Sequence, residues 1–246
     1  LAELATAMPR SGGDYFFVTR TLGPAAGTIG GLLTWFSLSL KSAFALVGMG
    51  AFIRLVFSQQ CPHLPVQWIT LALALVFTTL NIVGTHGVSR IQIGLVVVLL
   101  ALMGVYIVVG LPAMRPENFD PVAPNGLSAV LFSTGFVFVS YGGLLKVSSM
   151  ADEVRDPGRV IPLGMMLSLL VVTTCYTLMV TVTTGVLPGT TLDGSLTPMS
   201  DGAAVFMGPW GARLMGAAAV IAFISTANAG IQAGSRYLVA LSRDNL

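Results

Sequence analysis

Residues 127–162 are LSAVLFSTGFVFVSYGGLLKVSSMADEVRDPGRVIP, an apolar run with a glycine pair inside it and a charged end. From Val130 to Val139 almost every residue is apolar or small, as a membrane-crossing helix requires. Ser140-Tyr141-Gly142-Gly143 then puts two adjacent glycines inside what should be one continuous crossing. Glycine costs about 1 kcal/mol against alanine in a helix interior, and backbone groups left unpaired in lipid cost more again. A crossing can break there only where protein or a water-filled cavity satisfies the freed backbone. Broken helices of this kind build binding sites for solutes and ions between membrane helices. The plainer alternative is a glycine pair that lets two helices pack closely. Beyond the break come Lys146 and the charged exit Asp152-Glu153-Val154-Arg155-Asp156-Pro157.

The rest of the composition agrees with a lipid environment. Of the 246 residues, 54% are hydrophobic and 9% charged, against roughly 25% charged in soluble domains. Mean hydropathy is +0.86. The class is an all-α polytopic membrane protein. A net charge of +2 gives no footprint for nucleic acid. Cys61 and Cys175 lack metal-ligand spacing and lie in separate segments; Cys175 sits in an apolar run and reads as a packing residue. His63 and His86 both fall in predicted loops, so no histidine metal centre is expected, and no cofactor. The chain begins at Leu1 rather than Met, and its first eight residues look like the tail of a helix. It is therefore expected to be a piece of a longer protein.

Apolar runs predict spans at about 24–57, 66–83, 91–111, 127–150, 163–187 and 203–241, with residues 1–8 the tail of a preceding helix. All six belong to one membrane domain. The first and last runs exceed the 20 or so residues that an upright crossing needs, so they tilt or project. Gly84-Thr85-His86-Gly87 is predicted as a tight loop, and Pro112 to Asn125 as an extended external one. Alternate loops differ in basic residues. One set holds Arg10, Arg20, Arg90, Arg155, Arg159, Arg236 and Arg243, and the other Arg54, Arg115 and Arg213. Cytoplasmic loops carry the excess, which places the first set inside the cell. The expected location is integral and multi-pass, in the plasma (inner) membrane.

Three motifs carry a family resemblance. Ala2-Glu3-Leu4-Ala5-Thr6-Ala7-Met8-Pro9-Arg10-Ser11-Gly12-Gly13-Asp14-Tyr15 resembles the second-helix exit of amino acid permeases of the amino acid–polyamine–organocation superfamily. Glu153-Val154-Arg155-Asp156-Pro157-Gly158-Arg159-Val160-Ile161-Pro162 resembles its sixth-helix exit, E-E-V-x-N-P-x-R-x-I-P. Ser235-Arg236-Tyr237 and Ser242-Arg243-Asp244 resemble the end of its eighth helix. Their order and spacing extend the resemblance over essentially the whole chain. It implies part of a five-plus-five inverted-repeat transporter fold with a discontinuous sixth helix. On that register the chain runs from the end of the second helix through the eighth.

The resemblance also implies a site. Unwound backbone at Ser140, Tyr141, Gly142 and Gly143 would face the substrate's amino and carboxylate groups. The family's aromatic gate position holds Val139 here, with Phe138 and Phe136 nearby. The third helix lines the site in this fold, and Ser37, Lys41 and Ala45 share one of its faces at i, i+4, i+8, with Ser42 adjacent. Lys41 lies near mid-span, where a charge costs about 2.5–3.5 kcal/mol on insertion scales. It reads as a fixed cation in place of a bound ion, a proton carrier, a contact for an anionic substrate, or a structural lysine on backbone carbonyls at the break. Many proton-coupled relatives carry a lysine on the fifth helix where this chain has Leu99. Sodium-coupled members of the wider fold use a Ser/Thr pair on the eighth helix, matched by Ser225-Thr226. Asn228 and Gln232 read as polar glue between packed helices. Lys146, Asp152, Glu153 and Arg155 are candidates for a cytoplasmic gate.

With the broken helix, the resemblance implies a secondary transporter of amino acids or related amines, working by alternating access and coupled to Na+ or H+ as symporter or antiporter. The alternative is an inorganic-ion carrier or channel, for potassium for example, on the same scaffold. A non-transporting nutrient receptor is a third reading. An enzyme has little support, because no Asp, Glu or His falls within a predicted span. The expected partners are a small-molecule substrate, its coupling ion and the lipid bilayer.

Overall fold

The structure, a computed structural model, describes residues 2–7, 13–56, 65–83, 85–120, 126–143, 147 and 154–243. The described residues form helices α1 (Ala2–Ala7), α2 (Asp14–Leu22), α3 (Pro24–Val56), α4 (Val66–Val83), α5 (Thr85–Gly110), α6 (Gly126–Ser140), α7 (Pro157–Val186), α8 (Gly189–Gly194) and α9 (Pro198–Arg243). Two 3₁₀ turns, Leu111–Ala113 and Pro116–Phe119, follow α5. No strand occurs among the described residues. Among the described residues, four segments are long and apolar enough to cross a membrane: Pro24–Gly50, Gln92–Ala113, Pro157–Val186 and Pro198–Arg243. Gln67–Ile82 and Gly126–Ser140 are shorter apolar helices. Large side chains such as Phe44, Ile82 and Phe132 are exposed, which lipid tolerates and water would not.

The chain divides into two compact units. The first gathers residues 1–88, 139–169 and 223–246. Its core joins α2, α3 and the C-terminal part of α9 through Tyr15, Leu38, Ala233, Tyr237, Ala240 and Leu241, with Trp35 at the edge. Helix α2 is amphipathic, and it buries Tyr15 and Phe17. Phe17 packs on Ile161 and Met165 of α7. Glycines set the closest approaches, because a Cβ on Gly48 would stand 2.8 Å from the Phe223 ring.

The second unit gathers residues 89–138 and 170–222. Tyr106, Ile107, Met179, Val182, Val186, Ala203, Met215 and Ala218 form its core. Thr183 donates its hydroxyl to the Met179 carbonyl at 2.7 Å, so the Tyr106 hydroxyl is the donor in the 2.8 Å Tyr106–Thr183 bond. The Phe206 ring meets Tyr106 edge-on at 5.2 Å.

Several boundaries differ from the sequence-based expectation. His86 is not in a loop: α5 begins at Thr85 and runs through Gly87, since one glycine costs a helix only about 1 kcal/mol. Cys61 and His63 lie outside the described residues. The expected extended loop after α5 is partly folded. Its 3₁₀ turns are held to α7 by the Arg115 N–H and the Asn118 amide, each donating to the Gly185 carbonyl at 2.8 Å. Helix α7 begins at Pro157, six residues before the expected span, since proline's fixed φ suits a first helical position. Pro162 lies within it. Helix α9 is kinked at Gly208 (φ 67°, ψ −163°), followed by Pro209. That φ favours glycine, and the proline ring cannot continue the helix before it.

Candidate functional site

Helix α6 is built from apolar and small residues and ends at Ser140. Tyr141, Gly142 and Gly143 form a turn. The Gly142 N–H donates to the Val139 carbonyl at 3.2 Å, a tightened last turn that uses one of the carbonyls a helix end leaves open. The same carbonyl faces a second donor, the Lys41 ammonium at 3.4 Å. A Cβ on Gly142 would stand 2.3 Å from Lys41 Nζ and 3.3 Å from the Val139 oxygen. Lys41 therefore reaches the break through space that only glycine leaves. A helix C-terminus carries partial negative charge, so a cation there is electrostatically matched. Gly143 differs from its neighbour: a Cβ there would meet nothing within 4 Å.

Lys41 comes from the middle of α3, and the residues around it on that helix separate. Ser37 is exposed and Ala45 is buried. Ser42 is buried, with its hydroxyl donating to the Leu38 carbonyl at 2.9 Å. It presses on Gly230 of α9, where a Cβ would stand 1.9 Å from Ser42 Oγ. Of the four expected α3 residues, Lys41 is the one placed against the break. Ser42 serves helix packing. Tyr141 is half-buried and makes interactions of its own. Ser140 and Phe138 are exposed, and Phe138 falls in the second unit.

On α9, Ser225 is half-buried and engaged in other interactions, while Thr226 is exposed. Asn228 is buried and accepts a hydrogen bond from the Asn81 amide of α4 at 2.8 Å. That is the interhelical polar contact its position announced. Arg155 is exposed. Lys146, Asp152 and Glu153 lie outside the described residues.

Sequence reasoning missed a second polar cluster, around Asp14. This carboxylate opens α2 and accepts from the Tyr237 hydroxyl of α9 and from the Thr34 hydroxyl of α3 at 2.5 Å. Tyr237 is fully buried, so its hydroxyl needs the partner. The signal was an acid following Gly12-Gly13 at a helix start, but nothing local names residues 34 and 237 as its donors. Asn81, an amide in an apolar run, was the other available signal.

Apolar helices of crossing length, with no strand among the described residues, define an all-α polytopic membrane protein. Sequence comparison makes the assignment narrower. Residues 1–246 match the amino acid permease family, and the chain belongs to that family. It is 28% identical to the branched-chain amino acid permease BcaP of Bacillus subtilis (strain 168), over 100% of this chain and 56% of the relative. It is 27% identical to the methylthioribose transporter of the same organism, again over 100% of this chain and 56% of the relative. To cationic amino acid transporter 1 of Arabidopsis thaliana it is 32% identical, over 45% of this chain and 19% of that protein. The chain thus spans about half the length of the curated bacterial relatives it matches.

Proposed function

We propose that the protein is a secondary transporter of amino acids or related amines, with its substrate held at Ser140–Gly143 and moved by alternating access. The observation that carries this reading is the end of α6 at Ser140 beside Lys41. A helix that ends there leaves carbonyls of its last turn without partners in the helix itself. Such groups suit a zwitterion: carbonyls receive an ammonium, and N–H groups at helix starts receive a carboxylate. The names of the relatives, which include branched-chain and cationic amino acid carriers and a methylthioribose transporter, support an organic solute over an inorganic ion. Phe138 and Tyr141 are the nearest rings to close over it in sequence. Ser225 and Thr226 are the hydroxyls we assign to a sodium ion where Na+ is the coupling ion, and H+ is the other candidate. The bacterial permeases among the relatives favour a plasma (inner) membrane location.

The test is uptake by the purified full-length protein in proteoliposomes, with a panel of labelled amino acids under separate sodium and proton gradients. Saturable uptake, competed by the unlabelled amino acid, is the expected result. Potassium flux without uptake of any amino acid would overturn the reading in favour of an ion carrier. Sodium-driven uptake lost in Thr226→Ala would support the assigned ion ligands. Sodium-driven uptake unchanged in both Ser225→Ala and Thr226→Ala would remove them.

A further inference from the structure

Lys41 is the eighteenth of the 33 residues of α3, roughly 25 Å along the helix from its start. Its stem is too short to carry the ammonium to either membrane surface, so the charge must be answered where it stands. The Val139 carbonyl answers it at 3.4 Å, and Gly142 leaves the space for it. Carbonyls at the C-terminal end of a half-helix are the groups that receive a free cation in carriers with broken helices. Here a covalently held ammonium stands at that end. The geometry points to Lys41 as a built-in cation: it occupies the Val139 carbonyl at the break, keeps free cations from that oxygen, and positions the Tyr141–Gly143 turn, leaving the other carbonyls of the segment to the substrate. Gly142 is its receptor, a residue kept small to admit Nζ. This inference rests on the proposed substrate site only for its functional consequence; the occupancy of the break by a cation can be tested without transport.

Two arms separate the possibilities, both on the purified full-length protein. In the first, thermal unfolding is followed for wild type, Lys41→Ala and Lys41→Met with methylammonium chloride or choline chloride. Removing the side chain opens a cation-sized gap at the Val139 carbonyl. A ligand that binds only the folded state raises the unfolding temperature, so methylammonium should stabilise Lys41→Ala selectively. Choline is too bulky for the gap, and in Lys41→Met the uncharged chain fills it. Equal response of wild type and Lys41→Ala to methylammonium would overturn the inference. In the second arm, uptake is compared among wild type, Lys41→Ala, Gly142→Ala and the double variant. A methyl at position 142 collides with Nζ; once Lys41 is shortened only the milder contact with the Val139 oxygen at 3.3 Å remains. Gly142→Ala should therefore lower uptake at least about tenfold in the Lys41 background and change it less than about twofold in the Lys41→Ala background, a coupling that independent sites do not show. Additive losses would overturn the pairing. Absence of uptake by wild type would instead count against the transport reading, and the unfolding arm would still decide whether the break holds a cation.

Discussion

The two units treat a buried tyrosine in opposite ways. In the second, the Tyr106 hydroxyl ends on Thr183, a neutral group that has already donated its own proton to its helix, and apolar packing surrounds the pair. In the first, the Tyr237 hydroxyl ends on a carboxylate, Asp14, that also takes the Thr34 hydroxyl. Two further polar contacts of the first unit likewise join distant parts of the chain: Lys41 to Val139 and Asn81 to Asn228. Lipid supplies little hydrophobic drive between helices, so shape and polar contacts must specify their arrangement. The second unit's core is specified mainly by shape, and the first, which holds Val139 to Gly143 and Lys41, adds charge and hydrogen bonds between distant residues. Formal charge is concentrated where function is proposed.

The sharpest way to break this contrast lies at the two adjacent glycines. Gly142→Leu drives a side chain into the Lys41 ammonium and should lower uptake on the order of 100-fold, as misplacement of a site by about an ångström can. Gly143→Ala, whose Cβ would meet no protein atom within 4 Å, should lower it far less, since only bound substrate can meet the new methyl. Equal loss at both would show that the break needs flexibility rather than room for Lys41. Next in size is Asp14→Ala, which strips two hydroxyls of a charged acceptor. Thermal or denaturant unfolding in detergent should show a loss of about 2–3 kcal/mol, with part recovered in Asp14→Asn.

Smaller effects sharpen the comparison. Asn81→Leu removes the amide donor to Asn228 and should cost about 1 kcal/mol by the same unfolding measurement, within the range of interhelical hydrogen bonds in membranes. The least is expected from Tyr106→Phe in the second unit, about 0.5 kcal/mol, because Thr183 keeps its bond to Met179. Uptake should be unchanged in that variant. A Tyr106→Phe loss as large as that of Asp14→Ala would erase the distinction between the units.

The sequence made the break visible because two glycines in an apolar run violate the cheapest way to cross lipid. It also marked Lys41 as a charge in need of a partner, since mid-span lysine is expensive wherever it occurs. Backbone carbonyls at the break were among the partners read for it; that the carbonyl is that of Val139, 98 residues away, is a matter of the fold. For the same reason Asp14 and Tyr237, separated by 223 positions, appeared as neighbours of family motifs and not of each other. Gly142 and Gly143 look alike as letters; the path of α3 distinguishes them. Ser42 shows the converse failure, a hydroxyl on a promising helix that Gly230 draws into packing. The kink at Gly208 was readable, for Gly-Pro marks an interruption, but the long apolar run on either side masked it.

The Val139 carbonyl accepts from both the Gly142 amide and the Lys41 ammonium, so both its lone pairs are engaged. An oxygen bonded twice has a weaker C=O bond, and its stretching vibration moves to lower frequency. An isotope-edited label on this one carbonyl would give the break its own infrared band, shifting back toward higher frequency whenever the ammonium leaves. Two donors on one oxygen thus turn a packing detail into an optical reporter, readable in the unaltered sequence.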